Sequence, residues 1–223
     1  MPPQNLSLIH LIRPPQGEPA AKPPLLLLLH GVGSHERDLF ELAPYFDERF
    51  FIVSARAPLT LGYESFAWFH VQFTSTGPVI NPAEAESSRQ TLLHFLTELV
   101  EAYRVDPQRI YLCGFSQGAI MSFSLALTQP QRVAGIVAMS GRILPEVLPL
   151  LAPPADLTHL PIMVVHGLYD NVLPIQYGRA SQQRLSELPV NLTYREYPMG
   201  HQISAESLAD IQQWLADQLD RTW

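Results

Sequence analysis

A serine set between two glycines, in Gly114-Phe115-Ser116-Gln117-Gly118, is the first feature of this sequence with chemical meaning. Before it lies an apolar, β-prone run (residues 109–113), and after it a stretch that reads as a buried helix (119–127). Strand, sharp Gly-x-Ser-x-Gly turn and helix form the setting in which a serine hydroxyl is presented as a nucleophile. The glycines allow the tight turn and keep bulk away from the hydroxyl. The helix that follows aims its first amides, and the positive end of its dipole, at any oxyanion that forms there.

A serine hydroxyl is a weak nucleophile and needs a base, which in turn needs an orienting acid. The chain supplies both in the order Ser, Asp, His that this kind of turn requires. A short buried-strand pattern, Pro161-Ile-Met-Val-Val165, runs into His166-Gly167-Leu168-Tyr169-Asp170. An alternating pattern, Leu192-Thr-Tyr-Arg-Glu-Tyr197, ends in Pro198-Met199-Gly200-His201. Ser116, Asp170 and His201 all fall just past the carboxyl end of a predicted strand, where open α/β sheets place their ligands. An oxyanion site needs two amides. One is expected from Gln117, after the nucleophile. The other is expected from Val32, in the His30-Gly31-Val32-Gly33 loop that follows five consecutive leucines at 25–29.

These segments resemble the phospholipase/carboxylesterase family of α/β-hydrolases, which includes bacterial carboxylesterases and acyl-protein thioesterases. Leu29-His-Gly-Val-Gly33, Ala67-Trp68-Phe69, Gly114-Phe-Ser-Gln-Gly-Ala119, His166-Gly-Leu-Tyr-Asp170 and Met199-Gly-His201 carry the resemblance, in family order, across residues 25–203. It implies a triad of Ser116, Asp170 and His201, with oxyanion amides from Val32 and Gln117. It also implies a capacity to form homodimers. The chain departs from the family pattern at Ser34 and His70, two positions expected near the substrate pockets.

Composition narrows the alternatives. At 223 residues, 47% hydrophobic and 16% charged, the chain reads as one globular domain spanning 1–223. A formal net charge of −7, a single lysine (Lys22) and scattered arginines argue against a nucleic-acid partner and against an anionic membrane surface. The lone Cys113 leaves no intrachain disulfide and reads as a buried apolar residue in the strand before the turn. The leucine run is too short to span a membrane, and the start lacks a secretory pattern, so a cytoplasmic protein with no integral membrane segment is expected. His30 and His166 lack the ligand spacing of a zinc site and are expected to bond within their strand-end loops. The chemistry requires neither metal nor cofactor.

Strands alternating with helices predict a mostly parallel sheet with helices on both faces, the α/β-hydrolase architecture. A first strand is expected near 6–12, a Pro-rich surface loop at 14–24, a short helix at 36–44 and strands at 51–54 and 133–138. Asn81, followed by Pro82 and Glu84, signals a helix start. Further helices are expected at 174–188 and after Ser204. Residues 57–80 have no clean period but are rich in aromatic and aliphatic side chains, a pattern expected to wall an acyl pocket. Trp68 and Phe69 are the candidates within it, with Ile143 and Leu144 as further candidates, although Trp68 also suits plain core. The expected activity is hydrolysis of a small carboxylic ester through an acyl-enzyme. Thioesterase and lysophospholipase activities share that chemistry, and the rival from another class is a ligand-binding protein on a hydrolase scaffold.

Overall fold

The computed structural model describes residues 3–16, 22–75 and 77–221. The Pro-rich loop expected at 14–24 falls partly outside them. In chain order the elements are β1 (His10–Arg13), β2 (Leu25–Leu29), β3 (Phe51–Ala55), β4 (Leu59–Gly62), β5 (Ser65–Ala67), β6 (Val71–Thr74) and β7 (Gly77–Ile80). They continue with α1 (Pro82–Tyr103), β8 (Ile110–Phe115), α2 (Gln117–Thr128), β9 (Gly135–Met139), β10 (Pro161–Gly167), α3 (Ile175–Ser186), β11 (Asn191–Tyr197) and α4 (Ala205–Asp220). One seven-stranded sheet runs in the order β1-β3-β2-β8-β9-β10-β11. Within it only β1 is antiparallel, pairing His10 with Ala55; the other six strands, β3, β2, β8, β9, β10 and β11, run parallel.

The five leucines of β2 explain how the sheet is covered. Leu25, Leu27 and Leu29 pack with α1 and α2 on one face, and Leu26 and Leu28 with α4 on the other. An unbroken apolar run is what a strand buried on both faces needs. Asn81 caps α1, its Oδ1 accepting from the amides of Ala83 (3.2 Å) and Glu84 (3.4 Å). Ser204 caps α4, accepting from the Ser207 amide at 3.1 Å, while the Ser204 amide donates back to Ser207 Oγ at 3.0 Å. Among the described residues no helix is long and apolar enough to cross a membrane.

Several boundaries differ from the sequence reading. The first strand begins at His10, the fourth parallel strand at Gly135, and the short helix is a 3-10 turn over Leu39–Tyr45. Residues 57–80 are not structureless: β4 pairs with β5 and β6 with β7 as two small antiparallel hairpins outside the main sheet. Their strands are three or four residues long and mostly solvated, so no buried face imposes an alternation that the sequence could display.

Candidate active site

β8 ends at Phe115 and α2 starts at Gln117, so Ser116 alone makes the turn, with φ 53° and ψ −113°. Few residues other than glycine adopt this conformation. It is held by the Ser116 amide donating to the Met139 carbonyl (2.8 Å) and by the Ile120 amide donating to the Ser116 carbonyl (3.1 Å). Ser116 Oγ lies 3.0 Å from His201 Nε2, and His201 Nδ1 lies 2.7 Å from Asp170 Oδ2. A carboxylate can only accept, so Nδ1 carries the hydrogen and Nε2 is left to accept the serine proton.

Asp170 Oδ1 accepts from the amides of Val172 (2.9 Å) and Leu173 (2.8 Å). Burial pushes its carboxyl upward, but the His201 N–H and these two amides outweigh burial and hold it below the ordinary carboxylate range. The group therefore stays ionised beside the imidazole. The two loops that carry Asp170 and His201 are stitched together: the Leu168 amide donates to the Tyr197 carbonyl (2.8 Å), and that of Tyr169 to the Met199 carbonyl (3.0 Å). A β carbon on Gly167 would sit 2.4 Å from the carbonyl oxygens of both Met199 and Gly200, so this approach needs glycine. His166 supports the same loop by donating from Nε2 to the Leu173 carbonyl at 2.7 Å. Its 3.5 Å separation from Asp170 Oδ2 is too long for a hydrogen bond, and burial lowers its pKa, which keeps the ring neutral.

Val32, Ser116 and Gln117 line one narrow cavity of about 20 Å³ that is half open to solvent. The Val32 loop is framed on several sides. His30 Nδ1 bonds the Gly31 carbonyl (2.7 Å), and His30 Nε2 accepts from the Ala57 amide (3.0 Å). The Gly33 amide donates to the Phe66 carbonyl at 2.8 Å. The Gln117 side chain also has a structural task that the sequence did not signal. Its Oε1 accepts from the Trp68 amide and its Nε2 donates to the Phe69 carbonyl, both at 2.7 Å. The elbow at Ser116 is thereby clamped to the segment behind the Val32 loop.

Phe69 and Ile120 close the cavity from the core side, and Val71, Phe73 and Ile80 from the β6–β7 hairpin. Trp68, expected at this wall, is fully buried one layer behind it, its indole N–H donating to the His30 carbonyl at 3.0 Å. Its size suits the core, and its polar atom supports the loop that presents Val32. Ile143 and Leu144 are not at the wall either: Leu144 is buried in the core, and Ile143 lines a neighbouring cavity. Arg142, one position earlier, takes their place beside Ser116. Its position just past the end of β9 was the signal for it, the same strand-end rule that marks Asp170 and His201. Ser34 bonds Asp38 and His70 bonds Glu84, and neither is among the residues that line the cavity. Cys113 is buried, which pushes its thiol up to about 12 and leaves it inert. A wider groove of about 690 Å³ opens at the amino ends of β8, β9 and β10, the opposite edge of the sheet from Ser116.

Residues 15–219 match the sequence profile of the phospholipase/carboxylesterase family. A probable carboxylesterase of Oryza sativa subsp. japonica is 26% identical, over 88% of each chain. Acyl-protein thioesterase 1 of Kluyveromyces lactis is 27% identical, over 87% of this chain and 92% of its own. Among solved structures, esterase PE8 superimposes with a TM-score of 0.82 at 26% identity, over 95% of this chain and 99% of its own. The carboxylesterase of Bacillus cereus shares the fold, with a TM-score of 0.81 at 21% identity over 96% of both chains. The chain belongs to the phospholipase/carboxylesterase family of α/β-hydrolases.

Proposed function

We propose that this carboxylic-ester hydrolase works through Ser116 as nucleophile, His201 as general base and acid, and Asp170 as the group that orients the imidazole. The hydrogen-bonded chain from Asp170 Oδ2 through His201 to Ser116 Oγ, opening on the cavity, is the observation that carries the reading. His201 Nε2 takes the hydroxyl proton as Oγ attacks the ester carbonyl, and Asp170 stabilises the imidazolium. The amides of Val32 and Gln117 bind the developing oxyanion; losing one such donor typically costs about a hundredfold to a thousandfold in turnover. The proton then passes from His201 to the leaving alcohol. A water, deprotonated by His201, attacks the acyl-enzyme and frees the acid.

Small oxygen esters are the proposed substrates, in keeping with the carboxylesterases among the relatives. Thioesters, the substrates implied by the acyl-protein thioesterase relative, would pass through the same acyl-enzyme. The narrow cavity favours short acyl groups. Residues 1–223 are read as one catalytic domain, supported by a single main sheet that draws its strands from residues 10–197, and as a cytoplasmic protein, supported by the lone buried cysteine.

The test is kinetic. Ser116→Ala, His201→Ala and Asp170→Asn should each lower kcat on a short-chain ester by at least about a thousandfold while circular dichroism stays unchanged. A folded variant with near-wild-type turnover would remove that residue from the mechanism.

A further inference from the structure

Past the end of β9, Ser140 turns with φ 50°, and Gly141 brings the chain tight against the elbow. A β carbon on Gly141 would lie 2.5 Å from Ala119 Cβ and 3.3 Å from the Ser116 carbonyl oxygen. The next residue, Arg142, is thereby carried to the wall of the Ser116 cavity. Its backbone is pinned from the other side, where the Ile143 amide donates to Ser181 Oγ at 3.2 Å. The guanidinium carbon lies 5.3 Å from the centre of the Tyr177 ring.

The guanidinium is poorly satisfied for a half-buried cation. Nη2 donates to the Pro78 carbonyl at 3.3 Å, beyond the usual range for such bonds. Nε is buried with no partner, and Nη1 makes no hydrogen bond among the described residues. No carboxylate among those residues reaches ion-pair distance, and the acidic group that acts on it from further away, Glu146, is exposed. Arg13 is another half-buried arginine without a carboxylate, but it commits Nη1 and Nη2 to four carbonyls, of Ala43, Phe46, Asp47 and Phe50. Arg13 is a structural tie; Arg142 has no such set of acceptors. A guanidinium stays protonated at any physiological pH and presents a planar fork suited to a carboxylate.

We infer that Arg142 is a specificity residue whose free guanidinium face receives a carboxylate carried by the ester, so that the site prefers acidic esters to neutral ones. This rests on the serine-esterase reading above. The protein is acidic overall, with a formal net charge of −7, so an anionic ester gains no general attraction from it and depends on a local cation at the site. The apolar walls at Phe69, Val71 and Phe73 would take the carbon chain between ester and carboxylate.

Two substrate pairs test the inference and tell which side of the ester bears the acid. Monomethyl glutarate against methyl pentanoate places the carboxylate on the acyl side; butyryloxyacetate against ethyl butyrate places it on the alcohol side. In one pair the acidic member should show a kcat/KM about 10- to 100-fold higher, carried mainly by KM, the size expected for a charge-assisted hydrogen bond. Arg142→Met should abolish that preference and Arg142→Lys should retain part of it. Independently of any variant, free glutarate should inhibit wild-type hydrolysis of ethyl butyrate competitively, and neutral glutaramide should inhibit far less. Equal kcat/KM within both pairs, or a preference that survives Arg142→Met, overturns the inference and leaves the esterase reading intact. Hydrolysis of none of the four overturns the esterase reading and this inference with it.

Discussion

Gly118 and Leu29 meet so closely that a β carbon on Gly118 would lie 1.9 Å from the Leu29 carbonyl oxygen. The first turn of α2 is thus seated directly on the end of β2, where the His30-Gly31-Val32 loop begins. This contact sets the distance between the two proposed oxyanion amides. Gly118→Ala cannot be absorbed by a side-chain rotation, because the obstacle is backbone. The variant should lose about 3 kcal/mol of unfolding free energy in urea, the upper range for overpacking. Its kcat should fall at least about tenfold, since any shift moves Val32 relative to Gln117. Wild-type turnover in this variant would mean that the spacing is not critical.

Ser116 carries its turn at positive φ without being glycine, a conformation that stores about 1–3 kcal/mol. Ser116→Gly should therefore be inactive yet more stable, by about 1 kcal/mol once the added freedom of the unfolded chain is subtracted. Ser116→Ala keeps the strain and should show no such gain. Equal melting temperatures for the two variants would place the strain elsewhere.

Stability should depend on pH through three histidines. Burial lowers the pKa values of His10, His30 and His166, most heavily against the hydrogen bonds each makes. These rings stay neutral in the fold, while in the unfolded chain each takes a proton below about pH 6.5. The unfolded state thus binds more protons as pH falls, so unfolding free energy should be level above about pH 7 and decline below about pH 6.5. Urea titrations at intervals between pH 8 and 5 check this. His30→Gln and His166→Gln should flatten the slope, and a wild-type profile flat down to pH 5 would contradict it.

Trp68 and Phe73 should separate support from selectivity. Trp68 is fully buried, so Trp68→Ala should cost about 3–5 kcal/mol and lower kcat for acetyl and hexanoyl esters by the same factor. Phe73 is 58% exposed yet borders the cavity, so Phe73→Ala should leave stability within about 1 kcal/mol. It should raise the hexanoyl-to-acetyl ratio of kcat/KM by widening the wall. A Trp68→Ala penalty confined to the longer ester would return the indole to the pocket.

Local chemistry explains what could be read before the fold was known. The Ser116 turn, the Asp170 and His201 loops and the all-leucine β2 each announce themselves within a few residues, because a turn, a strand end or a doubly buried strand constrains the residues beside it. Trp68 shows the limit. Its size says that it will be buried, but whether it faces the cavity or the His30 carbonyl depends on how β5 sits against the elbow, and no local pattern encodes that. For Arg142 the end of β9 marks the place in the sequence, but the guanidinium's lack of a partner shows only once Pro78 and Tyr177 are assembled around it. The β6–β7 hairpin stayed illegible because its short, solvated strands lack a buried face.

Covalent labelling puts Ser116 to the test as the nucleophile. A fluorophosphonate should react with the folded protein at one equivalent, peptide mapping should place the adduct on Ser116, and ester hydrolysis should stop in proportion. His201→Ala should slow the labelling by at least about a hundredfold, the scale of general-base assistance. Ester hydrolysis that persists after complete reaction at Ser116, or an adduct on another residue, would contradict the account.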